Sequence, residues 1–313
     1  MSPRRSSPLS AGRLVAGSLT FVLFALNTVF WSVQLYAVAL LKVAVPAEAF
    51  RRAASRLLVA IAGAWVAVNT ACLRVTQPTV RDVKGLEGLR RDASYLVVSN
   101  HQSWVDIPLL QGVFLGRIPF LRFFLKQALI RVPVLGLAWW ALDFPFMKRH
   151  SREALERDPG LRREDLEATR KACERFRHAP ASILAFVEGT RFTPAKRERL
   201  GGPYAHLLPP KAGGLAFAAA AMGPGLAGIV DATIVYPHGT PTFWDLISRG
   251  LPEVVVRVRE RAIPPEWFTG DYAGDAAFRE GVRSWLGALF REKDAEIEAI
   301  LAARAPSAGP SGQ

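Results

Sequence analysis

The sequence predicts an α/β protein in which helices flank a mixed, largely parallel sheet, preceded by an N-terminal pair of membrane helices. Two long uncharged segments lie within the first 73 residues. After them, short segments typical of β-strands alternate with longer helical ones, which is the pattern of a sheet covered by helices. Half of the 313 residues are apolar, so the chain can bury a sizeable core.

The first uncharged segment, Leu14 to Leu41, is longer than the roughly 20 residues that a helix needs to cross the hydrocarbon core. A secretory signal has an apolar stretch of only about 7 to 15 residues, so we expect this segment to be retained as an anchor. The second segment, Leu57 to Leu73, is at the lower limit for a span and also fits a core helix.

Basic residues lie at every end of these two segments. The loop that joins the segments is as basic as their outer flanks, so the positive-inside rule does not favour two conventional spans. A re-entrant or interfacial helical hairpin on the cytoplasmic face satisfies the rule, and we prefer it. Residues 1–73 are therefore predicted to form a membrane-associated helical hairpin, with two spans as the alternative.

The charge of the chain indicates its kind of partner. Lys and Arg outnumber Asp and Glu by 40 to 27, a formal net charge of +13, which favours nucleic acid or an anionic membrane surface. The N-terminal basic residues flank apolar segments and no nucleic-acid-binding module is recognisable, so we expect a phospholipid bilayer and no nucleic acid. The two cysteines, Cys72 and Cys173, make neither a disulfide framework nor a metal-binding cluster, and we expect no metal site.

Residues 74–305 are predicted to form the globular domain. We expect strands at Arg74–Val83, Tyr95–Ser99, Ser182–Val187, Ile229–Tyr236 and Glu253–Arg259. The last of these is predicted at an edge of the sheet, because its pattern of valines and arginines leaves one face partly solvated. We expect helices at Ser103–Leu115, Phe120–Ile130, Leu161–Arg177 and Ala273–Ala303. The tail, residues 306–313, is rich in Pro, Gly and Ser and is predicted to be disordered.

Two of the predicted strands end in polar sequence. The strand Tyr95–Ser99 is followed by Asn100 and His101, and the strand Ser182–Val187 is followed by Glu188-Gly189-Thr190-Arg191. Open α/β sheets bind their ligands at the carboxyl ends of the strands, and parallel strands place these ends at one edge. We therefore expect the two polar segments to meet there.

His101 and Asp106 are a candidate catalytic pair. Five residues apart, they would lie about 140° from each other on an ideal helix and could not share a face. They meet if His101 lies in the turn before a helix that Ser103 caps, while Asp106 points back from the first turn. The alternative is that Ser103 and Asp106 form a simple capping box and His101 is an ordinary turn residue. The two roles are compatible.

A neutral imidazole at His101 could accept the proton of a hydroxyl as its oxygen attacks an acyl carbonyl, which typically contributes about 10² to 10⁴ in rate. Asp106 would hold the imidazole and stabilise its cation. The sequence has no Gly-x-Ser-x-Gly nucleophile elbow, and neither cysteine has a histidine nearby in an exposed polar setting. Direct attack of an acceptor alcohol on a thioester is therefore preferred to an acyl-enzyme route.

The polar segment after the second of these strands suits a phosphorylated acceptor. Arg191 has a planar guanidinium that can bind phosphate with two hydrogen bonds, Gly189 lets the backbone approach closely, and Glu188 can accept a hydrogen bond from an acceptor hydroxyl. Arg149 is a candidate for a second phosphate contact. The alternatives are a strand-ending turn with a surface pair of Glu and Arg, and a solvated charge at Arg149.

With these motifs the chain resembles the glycerolipid acyltransferase family, which includes bacterial and eukaryotic 1-acylglycerol-3-phosphate acyltransferases. The resemblance covers roughly residues 74 to 237. The family's first block, a His followed by four residues and an Asp, matches His101 and Asp106. Its third block, Phe-Pro-Glu-Gly-Thr-Arg, matches residues 186–191, with Val187 where the common form has Pro.

The family's second block carries a phosphate-binding Arg, for which Arg149 is the matching position. The third block implies that Thr190 contributes to substrate binding together with its neighbours. Within the family the chain is similar to a branch of bacterial inner-membrane enzymes, related to lysocardiolipin-type acyltransferases, that keeps the segments Leu208–Gly214 and Trp139–Phe146.

The resemblance implies an acyltransferase domain over residues 74–305, an acyl-CoA or acyl carrier protein donor, and no cofactor. The expected acceptor is a lysophospholipid, primarily 1-acylglycerol-3-phosphate, which would give phosphatidic acid. Lysophosphatidylglycerol and lysocardiolipin are alternative acceptors, and a non-catalytic basic membrane adaptor is an alternative of another class. The implied location is one leaflet of the bacterial cytoplasmic (inner) membrane, with the active site facing the cytoplasm.

Overall fold

The computed structural model describes residues 10–147 and 180–304, and between them the single residues 157, 160, 167, 173 and 176. The α-helices of this part are α1 (Ala11–Ala44), α2 (Glu48–Thr76), α3 (Asp106–Phe114), α4 (Leu135–Ala141), α5 (Pro194–Leu200), α6 (Gly213–Met222), α7 (Phe243–Ile247) and α8 (Ala276–Arg304). Short 3₁₀ helices lie at Gln127–Arg131, Gly223–Gly225 and Pro265–Phe268. The strands are β1 (Val80–Lys84), β2 (Ser94–Ser99), β3 (Leu121–Phe123), β4 (Leu125–Lys126), β5 (Phe146–Met147), β6 (Ser182–Ala185), β7 (Leu226–Val235) and β8 (Glu253–Arg261).

Six strands form one sheet in the order β1-β8-β7-β2-β6-β3, and β4 and β5 form a separate parallel pair. Among the described strands of the large sheet, only the β7–β8 pair is antiparallel. The predicted class, a mixed and largely parallel sheet, is therefore confirmed. Because β2 lies between β6 and β7 and is parallel to both, the carboxyl ends of these three strands share one edge.

Helices cover both faces of the sheet, and the side chains of β2 show how the two faces are divided. Tyr95 and Val97 pack into a cluster with residues of α1 to α4, whereas Leu96 and Val98 pack into a second cluster with α6 and α8. This alternation follows from the two-residue period of a strand. Both faces are buried, as a largely parallel sheet requires.

The prediction of a helix at Phe120–Ile130 is wrong. Leu121–Phe123 is strand β3 on the outer edge of β6, and Leu125–Lys126 pairs with β5. Leu121 and Phe123 join the cluster beneath α1 to α4, while the guanidinium of Arg122 lies over the ring of Phe176. Pairing with the free edge of β6 therefore outweighs the helix-like local composition, because the strand satisfies backbone groups and buries both apolar side chains.

The strand predicted at Arg74–Val83 begins later, at Val80, because α2 continues through Thr76. Pro78 follows directly after the extended Gln77 and ends the helix there. The predicted helix Leu161–Arg177 and the tail 306–313 lie outside the described residues, apart from Glu167, Cys173 and Phe176. The division of the chain at residues 73 and 74 stays a prediction.

The last predicted strand does not lie at an edge. β8 pairs with β1 on one side and with β7 on the other. Its arginines are compatible with this interior position because they are paired: Arg257 with Asp82 at 2.7 Å, and Arg259 with Glu296 of α8 at 2.6 Å. An alternation of valine and arginine is therefore compatible with an interior strand when the arginines form ion pairs, as well as with a solvated edge strand.

The two uncharged segments lie within α1 and α2, which pack against each other through apolar side chains and several hydrogen bonds. Asn27 donates to the side-chain oxygen of Asn69 at 2.9 Å and to the carbonyl of Trp65 at 3.1 Å, and the Trp65 indole donates to Thr28 at 3.1 Å. Hydrogen bonds of this kind join helices where apolar surroundings offer no other partner. Both helices are long and apolar enough to cross a membrane.

Both ends of α1 are held by the globular part. Near its start, Arg13 forms an ion pair with Asp245 of α7 at 2.8 Å. Near its end, Lys42 lies 3.6 Å from Asp143, just after α4. A helix of 34 residues is about 51 Å long at 1.5 Å per residue. The globular part therefore extends along α1 from one end to the other.

Candidate active site

His101 and Asp106 are in direct contact at the carboxyl end of β2. His101 lies in the loop after β2, and Asp106 is the first residue of α3. Nδ1 of His101 is 2.8 Å from Oδ2 of Asp106; the Asp106 side chain is fully buried and that of His101 is 15% exposed. Because a carboxylate only accepts hydrogen bonds, Nδ1 carries the proton of this contact and Nε2 carries the lone pair of the neutral imidazole.

The loop before α3 is organised around the same carboxylate. Oδ2 of Asp106 accepts hydrogen bonds from the backbone amides of Gln102 at 2.6 Å and Ser103 at 2.9 Å. This bond to Ser103 is one half of the predicted capping box, so the carboxylate both closes the turn and contacts the imidazole.

The prediction that Ser103 caps α3 is wrong. The residue before the helix is Val105, which makes no side-chain cap. The Ser103 hydroxyl accepts from the amide of Val105 at 3.1 Å and donates to the carbonyl of Pro241 at 2.6 Å. A tertiary partner, Pro241, therefore draws this hydroxyl away from the position that a local capping motif would give it.

The backbone of His101 is held by the loop that follows β6. Its amide donates to Oε1 of Glu188 at 2.8 Å, and its carbonyl accepts from the amide of Phe192 at 2.7 Å. The imidazole also stacks on the ring of Phe186, with centroids 3.9 Å apart and planes 15° apart. The two polar segments therefore meet at one edge of the sheet, as the parallel strands predict, and His101 is held from three directions.

Asn100 ties the end of β2 to β7. Its side-chain amide donates to the carbonyl of Ile234 and its side-chain oxygen accepts from the amide of Ile234, both at 2.8 Å. The side chain of Asn100 is fully buried. The hydroxyl of Tyr236, two residues after Ile234, donates to Oδ1 of Asp106 at 2.7 Å.

Glu188 is almost completely buried, with 1% of its side chain exposed. Its second oxygen, Oε2, accepts from the amide of Leu208 at 2.8 Å, so each oxygen has a backbone donor. Burial raises the pKa of Glu188 to about 7, although the amides of Leu208 and His101 act in the opposite direction. This carboxyl joins the His101 loop to the segment that contains Leu208.

The loop Glu188–Arg191 is lined by cations. Gly189 has a φ of +72°, which a side chain would strain, and a Cβ there would lie 3.3 Å from Nζ of Lys211. The Lys196 ammonium donates to the Thr190 hydroxyl at 2.7 Å and to the carbonyl of Arg191 at 2.9 Å. The exposed guanidinium of Arg191 lies over the ring of Trp104, 4.8 Å from its centroid. Three positive charges thus surround one turn.

Sequence reasoning did not identify Tyr236 or Lys196 as site residues. Tyr236 directly follows an apolar strand, which is the same signal that marked His101, but a tyrosine before a proline suggests no specific chemistry. Lys196 lies in a short charged helix, α5, that is indistinguishable from a solvated surface. The predicted residue Arg149 lies outside the described residues. Within the described ranges, no group of three or more His, Cys, Asp or Glu could hold a metal ion.

A family model described as Acyltransferase matches residues 80–239. The crystal structure of the 1-acyl-sn-glycerophosphate (LPA) acyltransferase PlsC from Thermotoga maritima is similar to the chain, with a TM-score of 0.56 and 20% sequence identity. The similarity covers 93% of this chain and 98% of that one, including the N-terminal helices. A comparison with curated proteins finds no match. At this identity the similarity concerns the fold.

We expect the buried Glu188 to be visible in the pH dependence of stability. Its pKa rises from 4.5 to about 7 on folding, so the contribution of its proton to stability is fully present below pH 4.5 and is lost as the pH rises through 7. Glu188→Gln removes this titration. The stability of the wild type relative to the variant should therefore fall by up to about 3 kcal/mol between pH 4.5 and pH 8.

The measurement is the free energy of unfolding in detergent at several pH values. The matched control is Glu198→Gln, which changes an exposed glutamate of α5. The pH dependence of the control should be parallel to that of the wild type. If the pH dependence of Glu188→Gln is parallel to the wild type as well, Glu188 does not titrate as described.

Proposed function

The chain belongs to the acyltransferase family, and from this premise we propose that it acylates the free hydroxyl of a lysophospholipid. The acyl donor would be a thioester, acyl-CoA or acyl carrier protein, and no cofactor is needed. The primary acceptor would be 1-acylglycerol-3-phosphate and the product phosphatidic acid. One observation carries the proposal: the 2.8 Å contact between His101 and Asp106 lies beside a turn surrounded by three cations.

In the proposed reaction His101 is the general base. Nε2 accepts the proton of the acceptor hydroxyl while its oxygen forms a bond to the thioester carbonyl carbon. The C–S bond then breaks, and the proton passes from His101 to the departing thiolate, so the catalyst returns to its neutral state. Asp106, bonded to Nδ1, keeps the ring in one orientation and stabilises its transient positive charge.

Glu188 supports this reaction indirectly in our proposal. Its oxygens take the amides of His101 and Leu208, and its side chain is buried, so it acts by positioning the His101 loop. The sequence suggested a hydrogen bond from the acceptor hydroxyl to Glu188. Burial and two backbone donors favour the positioning role over that contact.

The cations of the Glu188–Arg191 loop would bind the acceptor phosphate. Arg191 offers a fork of donors that matches phosphate oxygens. Lys196 adds a charge next to Thr190, and Lys211 adds one next to Gly189. Lysophosphatidylglycerol and lysocardiolipin carry a phosphodiester and stay as alternative acceptors. The dianionic phosphate of 1-acylglycerol-3-phosphate benefits more from three neighbouring cations.

The hairpin of residues 1–73 would seat the acyltransferase domain, residues 74–305, in one leaflet. Both ends of α1 contact the globular part, which would have to enter the bilayer if α1 crossed it. A polar globular domain does not enter the hydrocarbon core, so a crossing by α1 is disfavoured. The exposed side chains of α1 are largely apolar, including Phe30 and Val33. We therefore favour an interfacial hairpin on the cytoplasmic side of the bacterial inner membrane.

Helix α4 would continue this membrane-facing surface. Val134, Leu137 and Trp140 are 45%, 60% and 52% exposed, and the Tyr36 hydroxyl of α1 donates to the carbonyl of Val134. The turn between α1 and α2, next to the end of α4, is flanked by four cations: Lys42, Arg51, Arg52 and Arg56. Apolar side chains bordered by cations suit an anionic bilayer surface.

Replacement of the proposed base should abolish turnover. We expect His101→Ala to lower kcat by about 10² or more, because no group then removes the hydroxyl proton. The assay is transfer of a labelled acyl chain from acyl-CoA to 1-acylglycerol-3-phosphate in detergent micelles. His238→Ala, which changes a half-exposed histidine next to Glu253, is the control and should retain activity. Full activity of His101→Ala would exclude it as the base.

Loss of the exposed guanidinium should weaken acceptor binding. We expect Arg191→Gln to raise KM for 1-acylglycerol-3-phosphate by about tenfold and to change kcat less, since the lost charge-assisted bonds form in both the bound and transition states. Arg199→Gln, on α5, removes the same charge from a nearby exposed position and serves as the control. An equal effect of the two variants would indicate a general charge effect.

Membrane contact of α4 can be measured with an environment-sensitive fluorophore. In a Cys72→Ser background, we expect a nitrobenzoxadiazole label at Leu137→Cys or Val33→Cys to shift to shorter wavelength on vesicles rich in phosphatidylglycerol. The control is Leu200→Cys, an equally apolar position on α5 that is 47% exposed. If the label at position 137 keeps the emission wavelength of a water-exposed label, as at position 200, α4 does not contact the membrane.

A further inference from the structure

Tyr236 is buried beside the proposed catalytic pair. It follows the last residue of β7, its side chain is completely inaccessible to solvent, and its hydroxyl donates to Oδ1 of Asp106 at 2.7 Å. The proposed reaction assigns no role to this phenol. Tyr236 and His101 nevertheless contact different oxygens of the same Asp106 carboxylate. The phenol, the carboxylate and the imidazole therefore form one chain of hydrogen bonds.

The two oxygens of Asp106 are used differently. Oδ2 takes three donors from the adjacent loop, namely the amides of Gln102 and Ser103 and Nδ1 of His101. Oδ1 takes the hydroxyl of Tyr236, which comes from another strand. A carboxylate held at both oxygens cannot rotate about its terminal bond without breaking hydrogen bonds. The contacts of Oδ1 and of Oδ2 therefore both fix the direction in which the Oδ2 lone pairs point toward His101.

The structure also provides for the placement of Tyr236. Asn100, next to His101, is bonded to both the amide and the carbonyl of Ile234, two residues before Tyr236. These two hydrogen bonds, one donated and one accepted by the Asn100 side chain, fix the end of β2 against the end of β7. Tyr236 therefore reaches Asp106 at a fixed distance from the same segment that carries His101.

We propose that Tyr236 is a positioning residue for acyl transfer: its hydroxyl fixes the Asp106 carboxylate and shares its negative charge, so that the imidazole of His101 is held in the reactive orientation. The inference rests on the proposed function of His101. It adds a buried third member, acting through Asp106, to a catalytic pair that the sequence motif describes as two residues.

The phenol is suited to remain a donor. Burial and the neighbouring Asp106 raise the pKa of Tyr236 well above its usual range, so the hydroxyl stays protonated throughout the working pH range. Charged groups near the pair are Glu188, which accepts from the His101 amide, and Arg191 in the same loop, whose guanidinium lies over Trp104. The charge of Lys293 of α8 acts on Glu188. These groups are unchanged in a Tyr236 variant.

The test is Tyr236→Phe, which removes the hydroxyl and keeps the buried ring. We expect kcat to fall about tenfold with KM for acceptor and donor within about twofold, because a hydrogen bond to a charged group is lost behind the base and no substrate contact is lost. We also expect the acidic limb of kcat/KM to move to higher pH, since a carboxylate that no longer shares its charge holds the imidazolium more strongly.

The control is Tyr95→Phe. Tyr95 is a buried tyrosine on neighbouring β2, whose hydroxyl accepts from the amide of Arg90, away from the strand ends that carry the site. A purely structural effect of losing a buried hydroxyl would lower stability in both variants and leave the pH profile of both unchanged. Unchanged kcat and pH profile in Tyr236→Phe would overturn the proposal.

A second readout separates this inference from the proposed function. The titration of the His101 ring, followed by nuclear magnetic resonance of histidine-labelled protein and assigned with His101→Gln, should have a higher midpoint in Tyr236→Phe than in Tyr95→Phe. If the wild type acylates no lysophospholipid, the proposed function fails while this titration still tests the Tyr236 contact. If the wild type is active and the titration is unchanged, the Tyr236 inference alone fails.

Discussion

The buried carboxylate of Asp106 is the constraint on which the candidate active site depends. An ionised carboxylate away from water is costly unless its oxygens are hydrogen-bonded. Here four donors satisfy it: two backbone amides, the His101 imidazole and the Tyr236 hydroxyl. The loop after β2 must therefore fold back onto α3, and the end of β7 must reach the same point. The arrangement that stabilises the charge is also the one that orients the proposed base.

The sheet order makes this convergence possible. Because β2 lies between β6 and β7, the segments after all three strands lie side by side, and each contributes a different kind of contact to His101 or Asp106. The loop after β6 binds the backbone of His101 through Glu188 and Phe192. Groups carried on strand ends and joined by backbone hydrogen bonds are held more rigidly than groups on a free loop. A base that must accept a proton in one direction benefits from this rigidity.

The N-terminal helices are long and apolar enough to cross a membrane, and α1 lies along the globular part that carries the candidate site. Hydrogen bonds between polar side chains join the two helices, and α1 exposes many large apolar side chains. The ion pairs at Arg13 and Lys42 attach α1 along the globular part. In the proposed function the acceptor is a lipid, and this attachment would hold the acyltransferase domain close to the bilayer that contains it.

Local patterns in the sequence were sufficient for the class of fold, for two long apolar helices and for strands β2, β6 and β7, because periodicity and polar strand ends act over a few residues. The motif residues His101, Asp106 and Glu188 were found in the same way. The strand at Leu121–Phe123, the interior position of β8 and the tie from Ser103 to Pro241 were not, because each depends on a partner from a distant part of the chain. Tyr236 lies 130 residues from Asp106, and only the packing of β7 beside β2 makes the two a hydrogen-bonded pair.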